Sequence, residues 1–202
     1  MDNPVFLLIM TAVGLYVGKL WLDDRKAARL GGVQPGTLPG ATDASGKAIA
    51  IAVLGALVIL AGETWGENAL GLTAQQSKIT WLFGAYSLVA AIIEEVIFRG
   101  FIVIDKRGKA ALWAGAVGAS VLFAALHPFL WTWDKDGFAL TLGAKGWFST
   151  GTVFVTSLWL YAARFAAWNP TRSLLPCFAA HGAKNLGVIV IKAAQGFMGG
   201  VW

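Results

Sequence analysis

Residues 91–100 read Ala-Ile-Ile-Glu-Glu-Val-Ile-Phe-Arg-Gly, an apolar run interrupted by two glutamates and one arginine. The apolar surroundings extend over residues 79–104, which is long enough for one helix to cross a bilayer. An ionisable group inside such a span is costly and normally faces the interior of a bundle or a cavity. The segment therefore predicts a membrane helix that directs functional polar residues inward.

The composition of the whole chain also indicates a membrane protein. Of the 202 residues, 57% are hydrophobic and 13% are charged, whereas a soluble domain carries about 25% charged residues. A soluble protein of this size cannot bury so much apolar surface, so an ordinary globule and a disordered chain are excluded. The single cysteine, Cys177, excludes a disulfide scaffold. The net charge of +5 indicates basic cytoplasmic loops rather than a nucleic-acid partner.

Apolar runs elsewhere predict five further spans, and so an all-α polytopic bundle of about six transmembrane helices. These runs lie at about residues 5–22, 48–66, 109–134, 145–164 and 174–197. Spans should be helical because lipid cannot satisfy backbone polar groups. Most of the ten tryptophans lie near predicted helix ends, where indole rings favour the headgroup level. Trp159 lies mid-span and should pack against a neighbour or lipid. Residues 1–202 are expected to form one domain, with a motif-bearing core at 79–197.

Basic residues in the loops predict the orientation. The loops that follow spans one, three and five hold nine Lys or Arg residues, and the other loops hold three. The first group is Arg25, Lys26, Arg29, Lys47, Lys106, Arg107, Lys109, Arg164 and Arg172, and the second is Lys78, Lys135 and Lys145. The positive-inside rule makes the first side cytoplasmic. We expect a multi-pass protein of the cell membrane with both termini non-cytoplasmic and a flexible Gly/Pro-rich loop at 31–46.

The helical period separates the two glutamates of residues 91–100. Glu95 and Arg99 are four residues apart with the glutamate first, which is the favourable order for an ion pair on one helix face. Glu94 points about 100° away from Glu95. We therefore expect Glu95 to be neutralised by Arg99, while Glu94 stays free for proton transfer.

Each of the two histidines lies one helical turn from a second notable residue. His127 follows Phe123 in span four, and His181 precedes Asn185 in span six. Histidine is the usual proton carrier in enzymes, and asparagine is a neutral donor to an oxyanion. Counted depth places His127 nearer the outer half of the bilayer, unless span four starts late or kinks at Pro128 or the site lies near the midplane.

These motifs resemble the CPBP family of intramembrane proteases, the CAAX-protease and bacteriocin-processing group. The family pattern E-E-x-x-x-R, F-x-x-x-H and H-x-x-x-N is present, intact and in order, at residues 94–99, 123–127 and 181–185. Residues 169–174, Asn-Pro-Thr-Arg-Ser-Leu, also look like the family. The resemblance implies a bundle of six to eight membrane helices that hydrolyses a peptide bond of a membrane-associated protein or peptide.

The resemblance also implies catalytic roles. Glu94 and His127 would hold and deprotonate a water molecule. His181 and Asn185 would stabilise the oxyanion of the tetrahedral intermediate. Independently of the resemblance, the Lys/Arg asymmetry and the counted depth of Glu94 and His181 predict a site that opens toward the cytoplasmic half of the bilayer.

Supporting residues and a metal alternative follow from the same resemblance. Glu95 and Arg99 would set the geometry of the site, together with Phe123. The family was first described as metalloproteases, so Glu94 and the two histidines could instead hold zinc with an open position. A mechanism that requires no cofactor is preferred.

Other functions remain open at this stage. Cys177 lies one turn before His181 and could form a Cys–His dyad. A transporter could use the glutamates and His127 as an ion or proton relay, and a non-catalytic immunity or scaffold protein could keep the same fold. For a protease, the basic residues Arg99, Arg172 and Lys184 would favour the C-terminal carboxylate of a substrate.

Overall fold

Six long helices and one short β-hairpin make up the fold in the computed structural model, which describes residues 3–32, 34–135 and 137–202. A π-helix directly continues α3, and a short 3-10 helix, Thr73–Gln75, precedes it. The long helices are α1 (Pro4–Gly31), α2 (Gly46–Ala69), α3 (Trp81–Glu95), α4 (Lys109–Leu126), α5 (Ala144–Phe165) and α6 (Leu175–Ala194). The hairpin strands are β1 (Trp131–Asp134) and β2 (Gly137–Leu140), and the π-helix is Val96–Phe101.

The helices have the character of membrane spans. Within the described residues, α1, α2, α3 with its π extension, and α4 are long and apolar enough to cross a bilayer. The helices α5 and α6 have 22 and 20 residues, and they turn polar side chains such as Ser157 and His181 into the bundle. Large hydrophobic side chains such as Val58, Val121 and Val190 are exposed on the outside, as expected where lipid is the solvent. The predicted all-α membrane bundle is confirmed.

The helix α6 lies against both α2 and α3, while α5 lies against α2 and α4. Small residues allow the closest approach between α2 and α5, because a Cβ atom at Gly55 would overlap the ring of Trp159. The indole Nε1 of Trp159 donates a hydrogen bond to the Ala52 carbonyl at 2.8 Å. This contact confirms that the mid-span tryptophan packs against a neighbouring helix.

The first helix and the loop after it differ from the prediction. The helix α1 continues to Gly31, nine residues past the predicted end at residue 22. Trp21 is buried against other parts of the protein. Its Nε1 donates to the Pro39 carbonyl at 3.1 Å, and its ring meets Phe178 edge-on at 5.0 Å.

The loop predicted to be flexible is fastened to the turn before α6. Ser173 Oγ donates to the Thr42 carbonyl, and Thr171 Oγ1 donates to the Asp43 carbonyl, both at 2.6 Å. Gly40 has a φ of 62°, and a Cβ there would lie only 2.9 Å from the Leu174 side chain. These contacts order the second half of the loop.

The fourth span is shorter than predicted because Pro128 ends it. Helical backbone is disfavoured at the residue before a proline, and His127 accordingly has an extended backbone with φ −78° and ψ 125°. The helix α4 therefore stops at Leu126, and the chain forms the hairpin that the prediction missed. His127 lies just past α4 rather than within the helix.

Candidate active site

A π-helix begins directly after the two glutamates. The last carbonyls of a helix lack partners within it, and α5 satisfies several carbonyls at the end of Val96–Phe101 and just after it. The Tyr161 hydroxyl donates to the Phe98 carbonyl at 2.6 Å and to the Ile102 carbonyl at 3.1 Å. Arg164 donates through Nη1 to the Gly100 carbonyl at 3.2 Å. Such π segments are frequent at functional sites, and this one places Arg99 under α5.

A fully buried ion pair lies at the centre of the site. Arg99 Nη1 is 3.0 Å from Glu95 Oε1, and neither side chain is accessible to solvent. Arg99 Nη2 donates to Ser157 Oγ at 2.7 Å, and Ser157 Oγ donates to Ser120 Oγ at 2.9 Å. The guanidinium also lies 4.5 Å from the centre of the Phe123 ring. The pairing that the spacing predicts is therefore present and is held by α4 and α5.

His181 joins this pair to the second glutamate. Its Nδ1 is 2.8 Å from Glu95 Oε1, and its Nε2 is 3.7 Å from Glu94 Oε2. The Glu94 side chain is 34% exposed, whereas that of Glu95 is completely buried. The two adjacent carboxylates thus occupy different environments, as the helical period predicts.

His127 approaches the same cluster from the end of α4. Its Nδ1 is 2.8 Å from the Phe123 carbonyl, which can only accept a hydrogen bond, so the proton of a neutral His127 lies on Nδ1. The Phe123 ring centre is 4.7 Å from the His127 ring and 6.3 Å from the His181 ring. Within the described residues, Nε2 of His127 makes no hydrogen bond and is available as an acceptor.

Asn185 is fastened to α3 rather than to His181. Its Nδ2 donates to the Ser87 carbonyl at 2.9 Å, two turns before Glu94 on the same helix. A carboxamide nitrogen carries two protons. In the part of the chain that the structure describes, only one of these protons has an acceptor, so the second can bind a ligand.

The alternative nucleophile lies in an apolar environment. Cys177 is completely buried in the core cluster that contains Trp21 and Leu174. Its Sγ donates to the Leu160 carbonyl at 3.3 Å, and no hydrogen bond joins it to His181 in the described part of the chain. The arrangement is that of a packing cysteine and does not favour a Cys–His dyad.

The basic residues expected to bind a substrate carboxylate already have acidic partners. Arg99 is paired with Glu95 inside the bundle. Lys184 Nζ lies 2.7 Å from Glu63 Oε2, and Arg172 Nη1 lies 3.4 Å from Asp105 Oδ2. These three residues are therefore paired with acidic groups and do not form a free basic rim.

The zinc alternative lacks a gathered set of donors among the described residues. No three His, Cys, Asp or Glu side chains within residues 3–32, 34–135 and 137–202 are placed to hold a metal ion together. In the suggested set of Glu94, His127 and His181, each histidine uses Nδ1 for a hydrogen bond and keeps Nε2 as its possible ligand atom.

Several polar residues of the site were not found from the sequence. Ser120, Ser157, Tyr161 and Arg164 hold Arg99 or the π-helix. A serine in a membrane helix carries little signal because it can bond its own helix backbone. Asn169 had a signal only as part of the family-like segment. It is buried, and its two N–H groups are shared among three carbonyls that lie 2.9–3.2 Å from Nδ2. Asn169 thereby links the last turn of α5 to the segment just before α6, the helix that carries His181.

Comparison with known families places these motifs in context. Residues 76–187 match the family described as type II CAAX prenyl endopeptidase, Rce1-like. No curated protein and no solved structure matches the chain. The matched segment covers more than half of the 202 residues and includes all three motifs, and the apolar helices make the chain a membrane protein. The chain therefore belongs to the Rce1-like family of type II CAAX prenyl endopeptidases, a family of membrane proteases.

Proposed function

We propose that this protein is an intramembrane endopeptidase that hydrolyses a peptide bond of a membrane-associated protein or peptide. The observation that carries the proposal is the placement of His181 between a buried carboxylate, Glu95, and a partly exposed one, Glu94. General-base hydrolysis requires a carboxylate that water can reach and imidazole groups held in a fixed orientation nearby. The apolar bundle provides both.

Glu94 and His127 activate the water in this proposal. His127 accepts a hydrogen bond from the water through Nε2, since its Nδ1–H is used by the Phe123 carbonyl. Glu94 takes a proton from the water as the water oxygen attacks the substrate carbonyl carbon. The C–O bond forms, and the carbonyl π electrons move onto the oxygen as an oxyanion.

His181 and Asn185 stabilise that oxyanion. With Nδ1–H directed to Glu95, His181 donates through Nε2 when its imidazole is protonated. Asn185 contributes the N–H that Ser87 does not use. Glu94 then returns its proton to the amide nitrogen as the C–N bond breaks, which leaves a carboxylic acid and an amine. The acid then loses its proton to the amine or to water.

Glu95 and Arg99 act as positioning residues. Glu95 fixes the rotation and the tautomer of His181 through one oxygen, in the way that buried carboxylates orient catalytic histidines. Arg99 neutralises the same oxygen, with Phe123 packed against the guanidinium. Ser157 of α5 accepts a hydrogen bond from Arg99, and Ser157 in turn donates to Ser120 of α4.

The topology is part of the proposal. The nine-to-three distribution of basic residues supports a multi-pass protein of the cell membrane with both termini outside the cytoplasm. The site then opens toward the cytoplasmic half of the bilayer. A membrane-attached substrate would reach it laterally from the lipid.

A cleavage assay on the reconstituted protein tests the function. The full chain in phosphatidylcholine vesicles is incubated with prenylated and unprenylated CAAX peptides, and the products are identified by mass spectrometry. We expect a single new carboxyl terminus with the wild type and none with Glu94→Gln. A folded wild type that cleaves neither peptide, nor membrane-associated peptides of other sequence, would contradict the proposal and favour a non-catalytic scaffold.

A further inference from the structure

The β-hairpin between α4 and α5 has one strongly apolar face. In its register Trp131 lies opposite Leu140, and Trp133 lies opposite Phe138. Cross-strand partners and residues two apart share one face of a sheet, so these four side chains lie together. The other face carries Thr132 opposite Ala139. The hairpin is therefore amphipathic.

The apolar face of the hairpin is open in the isolated chain. Trp133 is 76% exposed, Phe138 58% and Leu140 63%. The Phe138 ring lies 6.3 Å from the rings of Trp131 and Trp133, so the aromatic groups form one patch. A two-stranded hairpin is marginally stable at best in water, and this face therefore calls for a covering partner.

The apolar face continues the lipid-facing surface of the bundle. The exposed side chains Leu122 and Leu126 of α4 are followed by Phe129 in the turn before the hairpin. Beyond the hairpin, Leu142 in the loop before α5 and Trp147 in the first turn of α5 are also exposed. The hairpin connects the end of α4 to the start of α5, and the two helices pack together, so it lies at their shared end. A bilayer that covers these helices would also reach the hairpin.

We propose that this hairpin is an interfacial membrane anchor, with the face formed by Trp131, Trp133, Phe138 and Leu140 seated at the boundary between headgroups and acyl chains. Tryptophan is favoured at this depth because its ring is apolar and its N–H is polar. The hairpin is also fastened to the end of α4, because Trp131 Nε1 donates to the Ala125 carbonyl at 2.8 Å. The Phe129 ring stacks on His127 at 6.0 Å. A seated hairpin would thus support the turn that carries His127.

Two adjacent positions on β2 provide a matched test. Leu140→Cys and Ala139→Cys are each labelled with the fluorophore NBD in the Cys177→Ala background, which leaves the aromatic residues of the patch intact. The full chain is reconstituted into phosphatidylcholine–phosphatidylglycerol vesicles. Quenching is measured with a nitroxide on the upper acyl chain and, separately, with iodide in the water on the hairpin side. Circular dichroism confirms that both variants keep their helices.

The anchor requires opposite responses at the two positions. We expect the label at 140 to be quenched at least several-fold more by the nitroxide lipid than the label at 139, and the label at 139 to be quenched more by iodide. Equal iodide quenching at both positions would overturn the proposal. Protection of the label at 140 from both quenchers would also overturn it, since the face would then be covered by protein. The measurement does not depend on proteolysis, so it stands or fails separately from the proposed function.

Discussion

Neutralising Glu94 and Glu95 one at a time should produce opposite patterns of stability and activity. Glu95→Gln removes the carboxylate that Arg99 contacts at 3.0 Å and that His181 contacts at 2.8 Å, all three groups being buried. The guanidinium is then left in the bundle without a counter-charge. Glu94→Gln instead alters a side chain that is 34% exposed and lies 3.7 Å from its nearest basic group.

The magnitudes follow from burial. Breaking a buried ion pair by removing one partner costs about 3–5 kcal/mol, whereas a substitution away from buried networks changes stability by about 0.5 kcal/mol or less. For a chain of this size each kcal/mol shifts Tm by about 2–4 °C. Glu95→Gln should therefore lower Tm by about 6–20 °C, and Glu94→Gln by about 2 °C or less.

The assay combines thermal unfolding in one detergent with peptide cleavage in vesicles at a temperature where both variants are folded. We expect Glu94→Gln to abolish cleavage at nearly wild-type Tm. Glu95→Gln should lose stability and retain some cleavage. Ser157→Ala, which removes one hydrogen bond to the Arg99 guanidinium, serves as a graded control at about 1.5–3 kcal/mol. Equal Tm values for the two glutamine variants, or cleavage by Glu94→Gln at the wild-type rate, would refute the reasoning.

Four further outcomes are expected. Cys177→Ala should keep wild-type cleavage and resistance to thiol reagents, and an inactive but stable variant would restore the Cys–His mechanism. Cleavage should survive prolonged treatment with a zinc chelator, and loss that added zinc reverses would establish the metal alternative. Cysteines at Arg107 and Lys135 should be labelled from the cytoplasmic and the outer side, respectively, and the reverse pattern would invert the topology. The hydrogen bond from the Arg29 guanidinium lowers the pKa of the Asp43 carboxyl below 3.8. The stability that the Asp43 carboxylate contributes is therefore complete above about pH 4 and is lost as the pH falls through the folded-state pKa. Asp43→Asn should weaken this acid dependence of Tm, and an unchanged dependence would contradict the expectation.

The sequence predicts the features of the site that depend on local spacing. Glu95 and Arg99 lie on one helix, so their four-residue spacing alone predicts the pair and the separate position of Glu94. The helices themselves follow from apolar runs, because lipid leaves the backbone few alternatives. Local patterns do not reveal partners on other helices. Lys184 and Arg172 were expected to be free, yet Glu63 and Asp105 reach them from distant parts of the chain.

The irregular elements also cannot be predicted from the sequence. A π-helix after Glu95 requires carbonyl partners from α5, and apolar periodicity contains no information about them. The hairpin after Pro128 has alternating large residues, but its first strand lies at the end of the uncharged run before Asp134 and so resembles the end of a membrane helix. Trp21 illustrates the same limit, because a tryptophan at a helix end and one buried under a folded loop have the same local sequence.

Polar side chains on α5 hold the site together, although α5 is less membrane-like than α1 to α4. Ser157 and Tyr161 lie four residues apart on one face of α5, and Arg164 follows three residues later. Each bonds a different part of the segment from Arg99 to Ile102. In lipid, the unpaired carbonyls of a π-helix and an unsupported buried guanidinium would each be strongly unfavourable. The polar side chains that reduce the apolar character of α5 are thus the ones that allow α3 to widen after Glu95 and to keep both glutamates directed toward His181.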